Sequence, residues 1–285
     1  MAAKRVAIVG SGPTGRAAAR ELAERSAAVT VFEKESEPGG LMRWGYPDLR
    51  MPLSITRRDV EALRGLGVRF EVEAELGRTV RLEDLERDYE AILITVGAPR
   101  PKRLNIPGED SPGVHNALEF LHAAREDRPL PTGPAVAVIG GGDTAVDAAV
   151  TAAKHGAERV TVMYRGSAEQ ALVQPHEFKR SQEAGVAWRY QAQPMKIAAT
   201  DNGLLVTLDG VDESSQGPKR FNSVIVAIGQ ETDSGLLKTL GLTMSANGST
   251  NHPKVWLAGG SRYGSDRLAK AIQDGRAVAK QLLRT

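Results

Sequence analysis

Short apolar runs bounded by glycine alternate with stretches of helical spacing along much of this chain. Lys4 to Val9 is apolar, Gly10 to Gly15 is a glycine turn, and Thr14 to Arg25 carries Ala and Leu at helical intervals. Ala28 to Phe32 is β-branched and aromatic and ends at Glu33. Such a series predicts strand, turn, helix, strand. The same series returns in mid-chain. Ala135 to Ile139 reads as a strand, Gly140 to Gly142 as a turn, Thr144 to His155 as an Ala-rich helix, and Arg159 to Tyr164 as a strand. Strands alternating with helices of this length predict parallel sheets joined by right-handed crossovers.

Two more apolar strands follow, Ser223 to Ile228 before Gly229 and Lys254 to Ala258 before Gly259 and Gly260, with a last helix at Leu268 to Leu283. Pro and Gly cluster at 99–112 and 129–134 and mark the boundary between the units. The closing strand and helix are expected to return to the first unit, so that the second is an insertion. The expected fold class is α/β, with two Rossmann-like dinucleotide-binding domains. Residues 1–117 and 241–285 would form one domain and 118–240 the other.

Composition narrows the chemistry. The 285 residues suffice for about two domains. A net charge of +2, from 37 basic and 35 acidic residues, argues against nucleic acid as the main partner. No apolar run reaches the roughly 20 residues that span a bilayer. The chain enters its first glycine turn too early for a signal peptide, so no membrane association and a cytoplasmic location are expected. There is no cysteine, which excludes a disulfide, a thiolate nucleophile and thiolate-held iron–sulfur clusters in this chain. The five histidines show no metal spacing.

The glycine turns carry the chemistry. Gly10-Ser11-Gly12-Pro13-Thr14-Gly15 fits G-x-G-x-x-G between a predicted strand and helix. The first glycine makes the turn, the second admits a pyrophosphate to the backbone, and the third lets helix and strand pack closely. The pyrophosphate sits on the helix N-terminus, and Glu33 stands where an acid would hold a ribose hydroxyl. Gly140-Gly141-Gly142-Asp143-Thr144-Ala145 is the second turn, with alanine at the permitted third position. Its second strand ends in Tyr164-Arg165 rather than an acid. An arginine there suits a 2′-phosphate and points to NADPH over NADH. Two such sites in one chain fit one for a flavin and one for the nicotinamide that reduces it.

At this point the chain resembles the FAD- and NAD(P)H-dependent flavoproteins of the pyridine nucleotide-disulfide oxidoreductase type. It resembles the glutamate synthase small subunit and the flavin and NADPH domains of dihydropyrimidine dehydrogenase, and more loosely adrenodoxin and thioredoxin reductases. The likeness rests on VAIVGSGPTG, FEKESEPGGLMRWGYPD, LITVGA with IPGED, VIGGGDTAVDAA, VTVMYR, VIVAIGQE and VWLAGG, in that order. It implies FAD on the first unit and closing segment, and NADPH on the inserted unit. It also implies that Gly39, Gly40, Leu41 and Gly45 line the flavin, that Gly97 lies near the cofactor, and that Gly229 and Gln230 lie where the chain returns toward it. The N-terminus of the last helix, around Asp266 to Leu268, would face the flavin's pyrimidine edge. Three positions depart from the pattern. Gly166 replaces a second arginine, Ala171-Leu172-Val173 replaces Met-Pro-Ala, and after Gly260 Ser261 replaces an aspartate that bonds the ribityl chain. A serine bonds without charge, which implies looser FAD binding.

The function so implied is electron transfer from NADPH through FAD to a partner protein, a partner subunit or a small acceptor. A basic face of Arg43, Arg50, Arg57 and Arg58 is a candidate for docking an acidic partner, although a solvated helix face explains the same residues. His176 more simply opens a helix than touches substrate. The alternatives are a self-contained NADPH oxidase or quinone reductase, and a nucleotide-binding sensor or scaffold that has lost tight FAD binding.

Overall fold

Runs such as Val-Ala-Ile-Val and Val-Ala-Val-Ile, apolar at every position, need cover on both faces, and the protein provides it with two separate parallel sheets. The computed structural model describes residues 3–210, 217–264 and 267–284. In chain order the first elements are β1 (Arg5–Val9), α1 (Pro13–Ala23), β2 (Ala28–Phe32), α2 (Leu41–Trp44), α3 (Leu53–Gly65), β3 (Arg69–Glu71), α4 (Leu82–Asp88) and β4 (Ala91–Ile94). They are followed by β5 (Val114–Asn116), α5 (Ala117–Arg125), β6 (Ala135–Ile139), α6 (Asp143–Lys154), β7 (Arg159–Met163), α7 (Pro175–Glu183) and β8 (Ala187–Arg189). Then come β9 (Ala192–Thr200), β10 (Gly203–Gly210), β11 (Gly217–Phe221) and β12 (Ser223–Val226). The chain closes with α8 (Ser234–Thr239), β13 (Val255–Leu257), α9 (Gly260–Tyr263) and α10 (Leu268–Leu282).

The chain divides into two compact units. One comprises residues 1–44, 48–100 and 230–285, and the other 45–47 and 101–229. The second is thus inserted in the sequence of the first. The first proline–glycine cluster, at 99–112, coincides with the division, but the one at 129–134 lies inside the second unit, between α5 and β6. The units divide at 100/101 and 229/230, where the sequence pattern suggested 117/118 and 240/241. The physical reason at the first division is β5, which pairs with β12 in the second unit's sheet.

The first unit's sheet is entirely parallel, in the order β13-β4-β1-β2-β3. Alternation along its strands sends side chains to two cores. Val6, Ile8, Val31 and Leu93 meet Ala18, Leu22, Val278 and Leu282 of α1 and α10. Ala7, Val9, Ile92, Ile94 and Leu257 meet Leu76, Leu82 and Leu85 on the other face. The second unit's sheet is also parallel, in the order β5-β12-β6-β7-β8. One face packs on the alanines of α6. The other is covered by an antiparallel sheet, β9-β10-β11, through Ile197, Val206, Leu208 and Phe221. The apolar pattern did not announce this third sheet, because β9 carries Pro194 and its pairing slips between Pro194 and Lys196. That slip breaks the two-residue period that a strand would otherwise show.

In the first unit α10 lies against α1 at a distance only glycine permits. A methyl group on Gly275 would stand 2.3 Å from the Thr14 carbonyl oxygen, and one on Gly259 would stand 2.2 Å from Thr14 Oγ1. Glycine inside a helix ordinarily costs about 1 kcal/mol relative to alanine. Here the contact reverses that sign. Gly275→Ala is expected to destabilise the protein by about 1–3 kcal/mol, read by denaturant unfolding, whereas relief of helix propensity alone would stabilise it.

Candidate functional site

Because the strands of each sheet run the same way, their carboxyl ends share one edge, and the chain leaves that edge through glycine turns. In the first unit β1, β2, β4 and β13 deliver Gly10, Glu33, Thr95 to Gly97, and Ala258 to Ser261 to the same side. Ligands of open parallel sheets bind at this edge.

The three glycines of the first turn have different surroundings. Gly10 has φ of +102°, and a side chain there would meet the Thr95 carbonyl oxygen at 2.6 Å. One at Gly15 would meet the Gly10 oxygen at 2.0 Å. These two serve packing. Gly12, the residue before α1, would meet no atom within 4 Å among the described residues. Its missing side chain leaves open space at the helix start, where Pro13 is the first helical residue and no side chain caps the N-terminus. Backbone N–H groups there stay available to an anion. A cradle that a Cβ would fill, beside an uncapped helix, fits a pyrophosphate.

Glu33 lies buried beneath this turn. It accepts hydrogen bonds from the Ser11 backbone N–H at 3.0 Å, from the Ser11 hydroxyl, and from the Glu35 N–H at 3.0 Å. Ser11 Oγ in turn accepts from the Gly39 N–H at 2.7 Å. A second glycine loop is thereby tied to the first. Gly40, with φ of +55°, sits so close that a methyl there would stand 2.6 Å from Gly12 Cα. Arg16, buried in α1, donates from Nη1 to the carbonyls of Ser11 (2.9 Å) and Gly39 (2.7 Å), and from Nε to Asp59 of α3 (2.7 Å). Burial pulls its pKa below the ordinary guanidinium value, and Asp59 and Glu33 oppose that pull.

The closing segment meets the end of β4. Ser261 is buried, and its hydroxyl accepts from the Gly97 N–H at 2.9 Å. A side chain on Gly260 would press on Gly97 and Ala98 at 3.1 Å. Asp274 of α10 fixes this turn by accepting from the Gly259 N–H at 2.7 Å and from Arg262 at 2.8 Å.

The second unit repeats the plan. Gly140, with φ of +155°, lies under the Ala227 carbonyl, where a side chain would come to 2.4 Å. Gly141 is covered by the Tyr164 ring at 2.2 Å from a would-be Cβ, whereas Gly142 faces open space before α6, which also has no side-chain cap. Asp143 Oδ1 accepts from the Gln174 N–H at 3.1 Å, and Gly141 accepts from the Leu172 N–H at 2.9 Å. Residues 171–173 are thus folded back onto the turn. Thr144 and Ala145 continue into α6, and Ala145 is buried. Arg165, just beyond β7, is exposed. Gly229 follows β12 with φ of +100°, and its carbonyl accepts from Lys102 N–H at 3.0 Å.

The other expected residues are spread over both units. Leu41 is 45% exposed on the short helix α2. Gly45 groups with the second unit rather than with the turns of the first. Leu268 opens α10, and Asp266, named with it, lies outside the described residues. Arg43 does not belong to an exposed basic face: it is buried and paired with Glu37 at 2.6 Å, while Arg57 and Arg58 are exposed on α3. His176 is the second residue of α7. Sequence reasoning missed Arg16, Asp59, Thr95 and Asp274. Arg16, Thr95 and Asp274 bond glycine loops and Asp59 bonds Arg16, and no local motif marks them.

Two parallel sheets, each with an open glycine turn and an uncapped helix at its carboxyl edge, define a protein of two Rossmann-like dinucleotide-binding domains, one inserted in the other. Residues 4–275 match the pyridine nucleotide-disulphide oxidoreductases, and the chain belongs to that family of enzymes. It is 31% identical over 321 residues to the glutamate synthase [NADPH] small chain of Escherichia coli (strain K12), covering 98% of this chain and 68% of the relative. It is 30% identical over 304 residues to the NADP(+)-dependent formate dehydrogenase subunit beta of Moorella thermoacetica, covering 97% and 43%. The chain spans about half the length of the curated relatives it matches, from 38% to 68%. In fold it is similar to Mycobacterium tuberculosis FprA in complex with NADPH, with a TM-score of 0.82, 20% identity, and coverage of 99% of this chain and 84% of that one. Among the described residues no helix is long and apolar enough to cross a membrane.

The Ser11–Glu33 pair gives a direct test of the first turn. Ser11→Ala is expected to cost about 1–3 kcal/mol in denaturant unfolding, because it strands the buried Gly39 N–H and removes one of the donors to the buried Glu33 carboxylate. A cost within a few tenths of a kcal/mol would show that water replaces the hydroxyl there.

Proposed function

We propose that this chain is an FAD-dependent NADPH oxidoreductase, with FAD on the first unit, NADPH on the inserted unit, and a partner subunit as electron acceptor. One observation carries the reading. The family's two glycine turns both keep an open second or third glycine at an uncapped helix start, while their neighbouring glycines are closed by packing. Gly12 and Gly40 would receive the FAD pyrophosphate, and Gly97, Gly260 and Ser261 would line the cofactor further along the same sheet edge. Gly142 would receive the NADPH pyrophosphate and Arg165 its 2′-phosphate.

FAD, when bound, supplies the acceptance of a hydride from a reduced nicotinamide and the release of electrons onward. The chain's own residues position and stabilise. The uncapped N-terminus of α10, beginning at Leu268, carries a partial positive charge worth about 0.3–1 kcal/mol toward nearby negative charge. Glu33 has its carboxylate already engaged by Ser11 and Glu35, so its contribution to a ribose hydroxyl is limited to a remaining lone pair. Arg165, free of ion pairs among the described residues, has its full donor set for a phosphate. The partner-subunit part of the reading is supported by relatives that are named as chains or subunits of glutamate synthase and formate dehydrogenase. A cytoplasmic location belongs to the same reading.

An absorbance spectrum of the purified protein, followed by anaerobic titration, tests it. A yellow protein bleached at lower NADPH than NADH concentrations is the expected result. Arg165→Gln should reduce that preference by about tenfold, the worth of one charge-assisted phosphate contact. A colourless protein that takes up no added FAD would sink the proposal. Brisk turnover with oxygen or a quinone alone would replace the partner subunit by a small acceptor.

A further inference from the structure

The carbonyl groups that Arg16 holds decide where the neighbouring N–H groups point. In a trans peptide the C=O and N–H bonds point in opposite directions, and every described peptide here is trans. Arg16 draws the Ser11 and Gly39 oxygens toward its buried guanidinium. The same two peptides therefore turn the N–H groups of Gly12 and Gly40 away from it. Those glycines are in contact, with a would-be Gly40 methyl 3.1 Å from Gly12 N. Neither N–H donates to any described residue. Two adjacent outward N–H groups beside a helix start make an anion-binding nest.

We infer that Arg16 is a positioning residue for this nest: it orients the Gly12 and Gly40 N–H groups to receive the two phosphates of a dinucleotide. The inference rests on the proposed binding of FAD by the first unit. Arg16 does this without touching the ligand, because its side chain is buried and four of its five N–H donors are used. Nε bonds Asp59, Nη1 bonds the two carbonyls, and Nη2 reaches Met42 Sδ at 2.9 Å. Asp59, which also pairs with Arg20 at 3.0 Å, offsets the guanidinium charge. The contribution is thus geometric rather than a long-range attraction. A planar fork fixed at three points holds two loops at once, and neither methionine nor lysine supplies that fork.

The test uses Arg16→Met and Arg16→Lys in the full chain, stripped of flavin, with FAD, ADP and AMP titrated into each. Circular dichroism checks that the fold is kept, and Arg16→Lys stands in if Arg16→Met fails to fold. The wild type is expected to prefer ADP to AMP, since only ADP offers a second phosphate to the paired N–H groups. Both variants should bind FAD and ADP at least about tenfold more weakly, with AMP weakened less, so that the preference shrinks. An unchanged preference, or equal loss of ADP and AMP binding, would overturn the positioning role and point to a general structural one. A wild type that binds neither FAD nor ADP would overturn the proposed function and this inference with it. The two failures are distinct, since one shows in the variants and the other in the wild type.

Discussion

The first turn of α1 is the tightest place in the first unit, and much else follows from it. Thr14 is approached by Gly259 and Gly275, while Gly15 closes on Gly10 and the Thr95 hydroxyl. Backbones can come this near only where no Cβ intervenes. The contacts bring the end of β1, the end of β4, the turn after β13 and the flank of α10 onto one short stretch of helix. A dinucleotide edge made from four chain segments needs that convergence, and glycines far apart in sequence supply it.

Polar groups beneath the turn are joined into one connected set. Glu33 accepts from Ser11, Ser11 accepts from Gly39, and Arg16 donates to the carbonyls of both loops and to Asp59. Buried charges are costly unless paired and hydrogen-bonded. Here each charge also holds backbone, so the cost of burial is offset by order in two loops that have no regular structure of their own. The second unit solves the same problem with fewer charges. Its turn is closed by the Tyr164 ring over Gly141, by the Ala227 carbonyl over Gly140, and by the folding back of residues 171–173. Arg165, just beyond β7, is left exposed.

Departures from the family pattern acquire a physical meaning at this level. Ser261 does not simply lack a charge, since its hydroxyl accepts from the Gly97 N–H and so joins β4 to the closing segment. Leu172, in the segment that lacks Met-Pro-Ala, donates its backbone N–H to Gly141, a bond that the proline of that pattern could not make.

The strands and helices around both glycine turns were legible from the sequence, since apolar runs between glycines need burial on two faces and a parallel sheet supplies it. The signals in the sequence are local: three glycines, a helix start, an acid or an arginine at the end of the next strand. The three-stranded antiparallel sheet was hidden by the register slip at Pro194, and the division near residue 100 by the short edge strand β5, which is only three residues long. Only the tertiary structure decided that Glu33 is engaged by Ser11, that Arg43 is buried against Glu37, and that Arg16, Asp59 and Asp274 hold the loops. A motif records spacing along the chain, whereas these residues act across as many as 43 positions of it, where partners are chosen by packing.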